Sequence, residues 1–208
     1  MTKDAPVVGI LLAGGLSRRM GGGDKNLLTL NGKPILARAI ERVKLQVSTL
    51  VLNANGPSDR FAQFGLPVIP DVIEGYAGPL AGILTGMEWT LENRPDCAWV
   101  ATFPTDAPFL PLDLVTRLMI AIEDEKTDMA CATSKNRTHP PIAIWPVRLR
   151  DDLRRAMIDE EMRKIDLWTS RYQISHVDFG DAGVDPFFNI NKPENLDEAE
   201  RLVREGCS

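Results

Sequence analysis

The sequence predicts an α/β protein whose mostly parallel sheet carries helices on both faces. Three observations lead there. Short apolar runs alternate with amphipathic stretches along the chain. The first run, Val7-Val8-Gly9-Ile10-Leu11-Leu12, is continuous, as in a strand buried on both sides. No linker, internal repeat or low-complexity segment breaks the alternation.

Taken in order, Val7–Leu12 is the opening strand and ends in glycines. Pro34 opens a helix whose Ile35, Leu36, Ala39, Ile40, Val43 and Val47 fall on one face. Thr49–Leu52 is a second strand, ending at Asn53. Leu66–Ile69, which contains Pro67, is expected as an edge strand leading to Asp71. Leu80–Glu92 repeats Ile83, Met87 and Leu91 at helical spacing. Ala98–Phe103 is the most strand-like segment of the middle and stops at Pro104. Leu112–Glu125 is an amphipathic helix, Met129–Ala132, Ile142–Trp145 and Ile174–Phe179 are strands, and Glu194–Glu205 is a closing helix. The run Asp159-Glu160-Glu161 reads as a solvated helix face, and Met119, Met157 and Met162 read as core.

A chain of 208 residues, 44% hydrophobic and 25% charged, is long enough to bury one sizeable core without disulfides or a structural metal. Its 24 Lys+Arg against 29 Asp+Glu leave a net charge of −5, which argues against broad nucleic-acid binding. The three cysteines lack CxxC spacing and suggest a reducing compartment. Only two histidines are present, which disfavours zinc. The early apolar run is too short to span a bilayer, and Arg18-Arg19 follow it where a cleavage site would lie. A soluble cytoplasmic protein without membrane partners is expected.

In open α/β sheets ligands sit at the carboxyl ends of the strands, so the residues just past the apolar runs are weighed first. Residues 12–25 hold five glycines with Arg18, Arg19 and Lys25. Such a backbone can aim successive N–H groups at a phosphate, with Arg19 and Lys25 adding full positive charge. The loop lacks the GK[ST] ending of a P-loop and the GxGxxG of a dinucleotide fold. Asp106, between Pro104 and Pro108 past the central strand, is placed as a Mg²⁺ ligand or as a turn or cap residue. Asp71 is placed to meet the same metal, a ribose or the loop cations, or to form a turn. Asn53 ends a strand, where its amide could read a base edge or simply start a turn. Gly78–Gly82 opens a helix and leaves room for a flat base. His139 is a turn residue or a contact to a second substrate. Asn189 and Asn191 alternate onto one side, for metal, for substrate, or as a helix cap. No nucleophile stands out, which points to direct displacement between two positioned substrates.

Leu12-Ala13-Gly14-Gly15, Ser17–Gly21, Asp24-Lys25, Asn53–Asn55, Gly78–Gly82, the Asp106 segment, His139-Pro140 and Phe188–Pro193 together resemble the molybdenum cofactor guanylyltransferases. That resemblance runs through nearly the whole chain. It implies a single three-layer α/β/α nucleotidyltransferase-like (Rossmann-like) domain over 1–208. About 7–110 would be its nucleotide-binding half and 111–205 its second-substrate half. It implies transfer of GMP from GTP to the terminal phosphate of molybdopterin with Mg²⁺ as cofactor. GTP would be held by Leu12, Ala13, Gly14, Gly15, Lys25, Asn53, Asp71 and Asp106. Arg19, Lys25 and Asp106 would be catalytic, with the metal on Asp106. His139, Asn189 and Asn191 would meet the second substrate. Related cytidylyltransferases carry LAAG at Leu12–Gly15 and DxD at Asn189–Asn191, so guanine is favoured. A cytidylyl- or sugar-1-phosphate transferase is the alternative, and a non-catalytic GTP-binding adaptor a more distant one. Other proteins of cofactor biosynthesis and the apo-molybdoenzymes or their chaperones are the implied partners.

Overall fold

The structure, a computed structural model, describes residues 5–13, 27–75, 78–180 and 183–205. The opening strand β1 (Val7–Leu12) is followed by a small antiparallel ribbon, β2 (Thr29–Leu30) and β3 (Lys33–Pro34), and by α1 (Ile35–Val43). Next come β4 (Thr49–Asn53), β5 (Val68–Ile69), α2 (Pro79–Asn93) and β6 (Trp99–Pro104). The rest holds α3 (Leu114–Glu125), β7 (Met129–Ser134), β8 (Arg137–Pro146), α4 (Arg150–Asp159), α5 (Ile165–Thr169), β9 (Ile174–Asp178) and α6 (Pro193–Arg204).

Seven strands form one sheet in the order β5–β4–β1–β6–β8–β7–β9. Both pairings of β8 are antiparallel and the other pairs are parallel, so the sheet is mixed but mostly parallel, as expected. β1 runs through its interior, and its side chains divide between two cores. Val7 and Leu11 join Leu36, Ala39 and Val43 of α1 and Leu114, Val115 and Leu118 of α3. Val8 and Ile10 join Leu80, Ile83 and Leu84 of α2, Leu153 and Ala156 of α4, and Trp168 of α5. A strand with a helical layer on each side has no polar face, which explains the unbroken apolar run.

The chain moves outward from β1 through β4 to β5, then α2 carries it back to β6 on the other side of β1. The strand order therefore reverses between β1 and β6, and a crevice opens there at the carboxyl ends. A third cluster, Leu30, Ile35, Phe109, Ile190 and Ala199, fastens α6 and the segment before it next to this crevice.

Several elements differ from the sequence expectation. β8 spans ten residues rather than the four of Ile142–Trp145. Pro140 and Pro141 lack an N–H, but they fall where the β7–β8 register shifts, so no ladder bond is lost to them. α1 ends at Val43 and a short 3₁₀ turn, Lys44–Gln46, continues to Val47. Asp159 is the last residue of α4, whereas Glu160 and Glu161 lie past its end, Glu161 with φ of 53°. That acidic run is therefore a helix terminus and not a helix face. β5 is indeed an edge strand. Among the described residues no helix is long and apolar enough to cross a membrane.

Candidate active site

Three strands end on one line. The register sets Leu12 of β1 opposite both Asn53 of β4 and Pro104 of β6, and Asn53 opposite Ile69 of β5. Residues leaving these strands thus start level with one another. Ala13 N–H donates to the Asn53 carbonyl at 2.9 Å, and Thr105 Oγ1 donates to the Leu12 carbonyl at 3.3 Å. The expected site residues Leu12, Ala13, Asn53, Asp71 and Asp106 are gathered along this edge. Gly14, Gly15, Arg19 and Lys25 lie outside the described residues.

Asn53 is only 2% exposed, and its side chain is fully engaged on the nitrogen side. Nδ2 donates to Asp71 Oδ1 at 2.9 Å and to the Ile69 carbonyl at 3.3 Å. Asn55 closes the arrangement: its Nδ2 donates to Asp71 Oδ2 at 2.8 Å, and its Oδ1 accepts from Asp71 N–H at 2.9 Å. Both carboxylate oxygens of Asp71 are therefore held by amides, which fixes the carboxylate where β5 ends. Asn55 belongs to the Asn53–Asn55 motif but received no role of its own from the sequence, because Asn55-Gly56 reads as an ordinary turn.

Asn53 Oδ1 points at the first turn of α2 and has no hydrogen-bond donor among the described residues. A Cβ on Gly82 would sit 2.5 Å from that oxygen and 2.6 Å from Leu12 Cδ2. Only glycine lets the helix approach the strand ends this closely. Val72 N–H donating to Thr85 Oγ1 at 3.0 Å ties the turn after Asp71 to the same helix.

On the other side of the crevice, Asp106 is nearly buried, 9% exposed. Its carbonyl accepts from Ile190 N–H at 2.9 Å. Ile190 is itself buried in the third cluster, while Asn189 and Asn191 on either side of it are exposed. The two expected amides thus flank the residue that is bonded to the Asp106 main chain. Asn191 N–H donates to Asn195 Oδ1 at 3.3 Å, beside the capping box that starts α6.

His139 lies inside β8 and is not a turn residue. Ser134 Oγ donates to Asp185 Oδ1 at 2.8 Å and stands 2.8 Å from His139 Nε2. With the hydroxyl proton given to Asp185, Nε2 carries the imidazole proton and donates to Ser134. The His139 ring packs on Phe187 at 4.7 Å, and Asp185 Oδ1 also accepts from Phe187 N–H at 2.9 Å. Burial holds the imidazole below the ordinary histidine pKa; the Asp185 carboxylate opposes this and Arg137 adds to it. His139 thus works with Ser134 and Asp185 to set the strand end that leads through Phe187 to Asn189. Neither Ser134 nor Asp185 had a sequence signal beyond a possible turn at Asp185-Pro186.

Among the described residues no group of three or more His, Cys, Asp or Glu side chains forms a ready-made metal cage. The Asp106 carboxylate is a hard oxygen donor of the kind Mg²⁺ takes, one or two carboxylates with the rest of the shell from substrate phosphates.

Known proteins match this chain over most of its length. A family model described as the MobA-like NTP transferase domain matches residues 9–172. The molybdenum cofactor guanylyltransferase of Rhodopseudomonas palustris (strain BisB5) is 52% identical over 93% of this chain and 92% of that protein. The protein of the same name from Bradyrhizobium sp. (strain ORS 278) is 52% identical over 95% of this chain and 93% of its own. Among solved structures, molybdopterin-guanine dinucleotide biosynthesis protein A from Archaeoglobus fulgidus superposes with a TM-score of 0.76 at 22% identity, covering 96% of this chain and 99% of that one. With a family model over residues 9–172 and relatives about half identical over more than nine-tenths of the chain, the chain belongs to the MobA-like NTP transferase family.

Proposed function

We propose that this chain transfers GMP from GTP to the terminal phosphate of molybdopterin, forming the guanine dinucleotide of the cofactor and releasing pyrophosphate. The observation that supports the proposal is the level edge where β4, β1 and β6 end, with the Asn53–Asp71 pair following the strands on one side of β1 and Asp106 following β6 on the other. Relatives of half-identical sequence named for this activity support the choice of substrates.

The chemistry is an in-line displacement. A phosphate oxygen of molybdopterin forms the new bond to the α-phosphorus of GTP, and the bond from that phosphorus to the bridging oxygen breaks. The incoming phosphate is already an anion at neutral pH, so no side chain has to remove a proton. What the protein must do is hold two polyanions together. Arg19, Lys25 and the glycine loop after Ala13 are proposed to bind the triphosphate. Asp106 would hold Mg²⁺, which when bound supplies charge neutralisation at the phosphates. Asn53 Oδ1, beside Gly82, is an acceptor suited to the N–H donors of guanine. Asn189 and Asn191 are proposed to orient the acceptor phosphate.

In this account residues 7–110 form the nucleotide half and 111–205 the acceptor half of one domain. Its unity is supported by a core cluster that runs from Val7 to Phe187. The buried free thiols Cys97 and Cys131 support a reducing, cytoplasmic setting. Other proteins of cofactor biosynthesis and the molybdoenzymes or chaperones that receive the product are the proposed partners.

Competition among GTP, CTP and UTP for binding tests the assignment. GTP should win by about tenfold or more, the worth of a satisfied base edge. A preference for CTP would move the chain to a cytidylyltransferase role.

A further inference from the structure

One cavity of the molecule has no part in the site described so far. It lies between α5 and the β7–β8–β9 face of the sheet and measures about 280 Å³. This is at the small end of ligand pockets, roughly 300–1,000 Å³, and fits a ring system better than a whole nucleotide. Trp145, Ile165, Tyr172 and Ile174 supply its apolar lining, with Thr169 and His176 among the polar residues beside them.

The aromatic wall is held rigidly. Asp152 accepts from Tyr172 Oη, from Trp168 Nε1 at 3.0 Å and from Arg155 at 2.7 Å. The Tyr172 ring meets Trp168 edge-on at 5.4 Å, and Trp168 stacks obliquely on Trp145 at 6.0 Å. Trp145 Nε1 is in turn fixed by donating to Thr102 Oγ1 at 2.7 Å. A second carboxylate, Asp166, stands at the same cavity and has no hydrogen-bond or ion-pair partner on its side chain among the described residues. A preorganised flat wall with one uncommitted carboxylate is what a planar heterocycle with adjacent N–H donors requires.

The cavity is connected to the active site through three consecutive residues. Thr138 and Pro140 line it, while His139 between them turns away onto Phe187 and Ser134. From Phe187 the chain runs to Ile190 and its bond to Asp106. Alternate residues of one strand thus face the cavity and the latch that holds Asn189 and Asn191.

We infer that this cavity binds the pterin ring of the acceptor, with Asp166 accepting from the ring N–H and its neighbouring amino group. The inference rests on molybdopterin being the acceptor. Guanine presents the same 2-amino-4-oxopyrimidine edge, but the cavity lies on the far side of β6 from Asn53 and Gly82, where the nucleotide is proposed to sit. The ring enters an environment without competing charge from sulfur, since burial pushes the Cys131 thiol up to about 12.

The test uses Asp166→Asn, which keeps shape and removes the charge, and Ser170→Trp, which fills the cavity from the end of α5. Each is compared with the parent protein for binding of a simple pterin by fluorescence, for the KM of molybdopterin, and for the Kd of GTP. Unfolding temperatures confirm that each variant is folded, and Asp166→Asn carries the test if Ser170→Trp is not. Pterin affinity should fall and molybdopterin KM rise by about tenfold or more, as for loss of charge-assisted hydrogen bonds, with GTP affinity within about twofold. Unchanged pterin affinity and KM in folded variants, no pterin binding by the parent, or a loss that follows GTP instead would each overturn the assignment. A parent protein that binds pterin through Asp166 yet makes no dinucleotide would count against the proposed reaction and leave the pocket standing.

Discussion

The Ile190 amide donates to the Asp106 carbonyl at 2.9 Å, and this bond joins the two halves of the candidate site. It places exposed Asn189 and Asn191 on either side of a residue buried in the core next to the proposed metal ligand. Residues 84 positions apart in sequence are fixed together by main chain, a bond that does not involve the Asp106 side chain.

The Ser134–Asp185–His139 group should govern the acceptor side. Asp185→Ala removes the acceptor for both Ser134 Oγ and Phe187 N–H. Chemical denaturation should show a loss of about 1–3 kcal/mol from the stranded buried hydroxyl. Steady-state kinetics should show the KM for molybdopterin rising more than that for GTP. Asp185→Asn retains an acceptor oxygen and should recover most of the loss. Equal increases in both KM values would remove the acceptor-side role.

On the nucleotide side, Gly82→Ala drives a methyl into Asn53 Oδ1 and Leu12 Cδ2. The overpacking should cost about 1–3 kcal/mol in unfolding free energy. It should also weaken GTP binding by about tenfold or more, because the displaced groups border the proposed base site. Gly86→Ala is the control: its Cβ would meet Ile10 Cγ1 at 2.5 Å, in the core and away from the strand ends. It should destabilise without changing GTP affinity in the folded protein. Equal effects of the two on GTP would argue against a role for the Gly82–Asn53 contact.

Asp71→Ala leaves the Nδ2 groups of Asn53 and Asn55 without their carboxylate. Because Asn53 is buried, stability should drop by about 1–3 kcal/mol and GTP binding with it. Asp71→Asn, which keeps one acceptor, should fall between. A calorimetric titration in which Asp71→Ala binds GTP as tightly as the parent would show that this clamp does not shape the nucleotide site.

Acidification should act through His139. Its pKa is lowered in the folded protein, chiefly by burial, with Asp185 working against the shift and Arg137 with it. The unfolded chain therefore takes up the proton first. Stability from the neutral imidazole is full above the unfolded value, near 6.5, and declines as pH falls toward the folded value. Thermal unfolding between neutral pH and about 5 should show a smaller decline for His139→Gln than for the parent. NMR should place the His139 midpoint below the ordinary histidine value, and a midpoint above it would contradict the burial argument.

Much of this architecture was legible in the sequence, and the exceptions have physical causes. Val7–Leu12 and Ala98–Phe103 announce themselves because strands buried on both faces have no polar positions. Asp71 and Asp106 were found because ligand groups in such sheets follow the strand ends. β8 was shortened in expectation by Pro140-Pro141, since a register shift that tolerates prolines leaves no mark in one strand alone. α4 was legible only through its acidic end and Met157, and α5 went unseen, because each buries only three residues: Leu153, Ala156 and Met157, and Ile165, Trp168 and Thr169. Asn55, Ser134 and Asp185 act through partners 16, 5 and 51 residues away, separations that no local pattern encodes.

The crevice beside Asp106 is proposed to join GTP to a pterin phosphate. The most direct measurement is incubation of the parent protein and of Asp106→Asn with GTP, Mg²⁺ and molybdopterin, following guanylyl dinucleotide and pyrophosphate together. The parent should yield equal amounts of both products. The folded variant should be slower by about a hundredfold or more, the scale of losing several kcal/mol of charge stabilisation. No dinucleotide from the parent, or undiminished turnover by the variant, would contradict it.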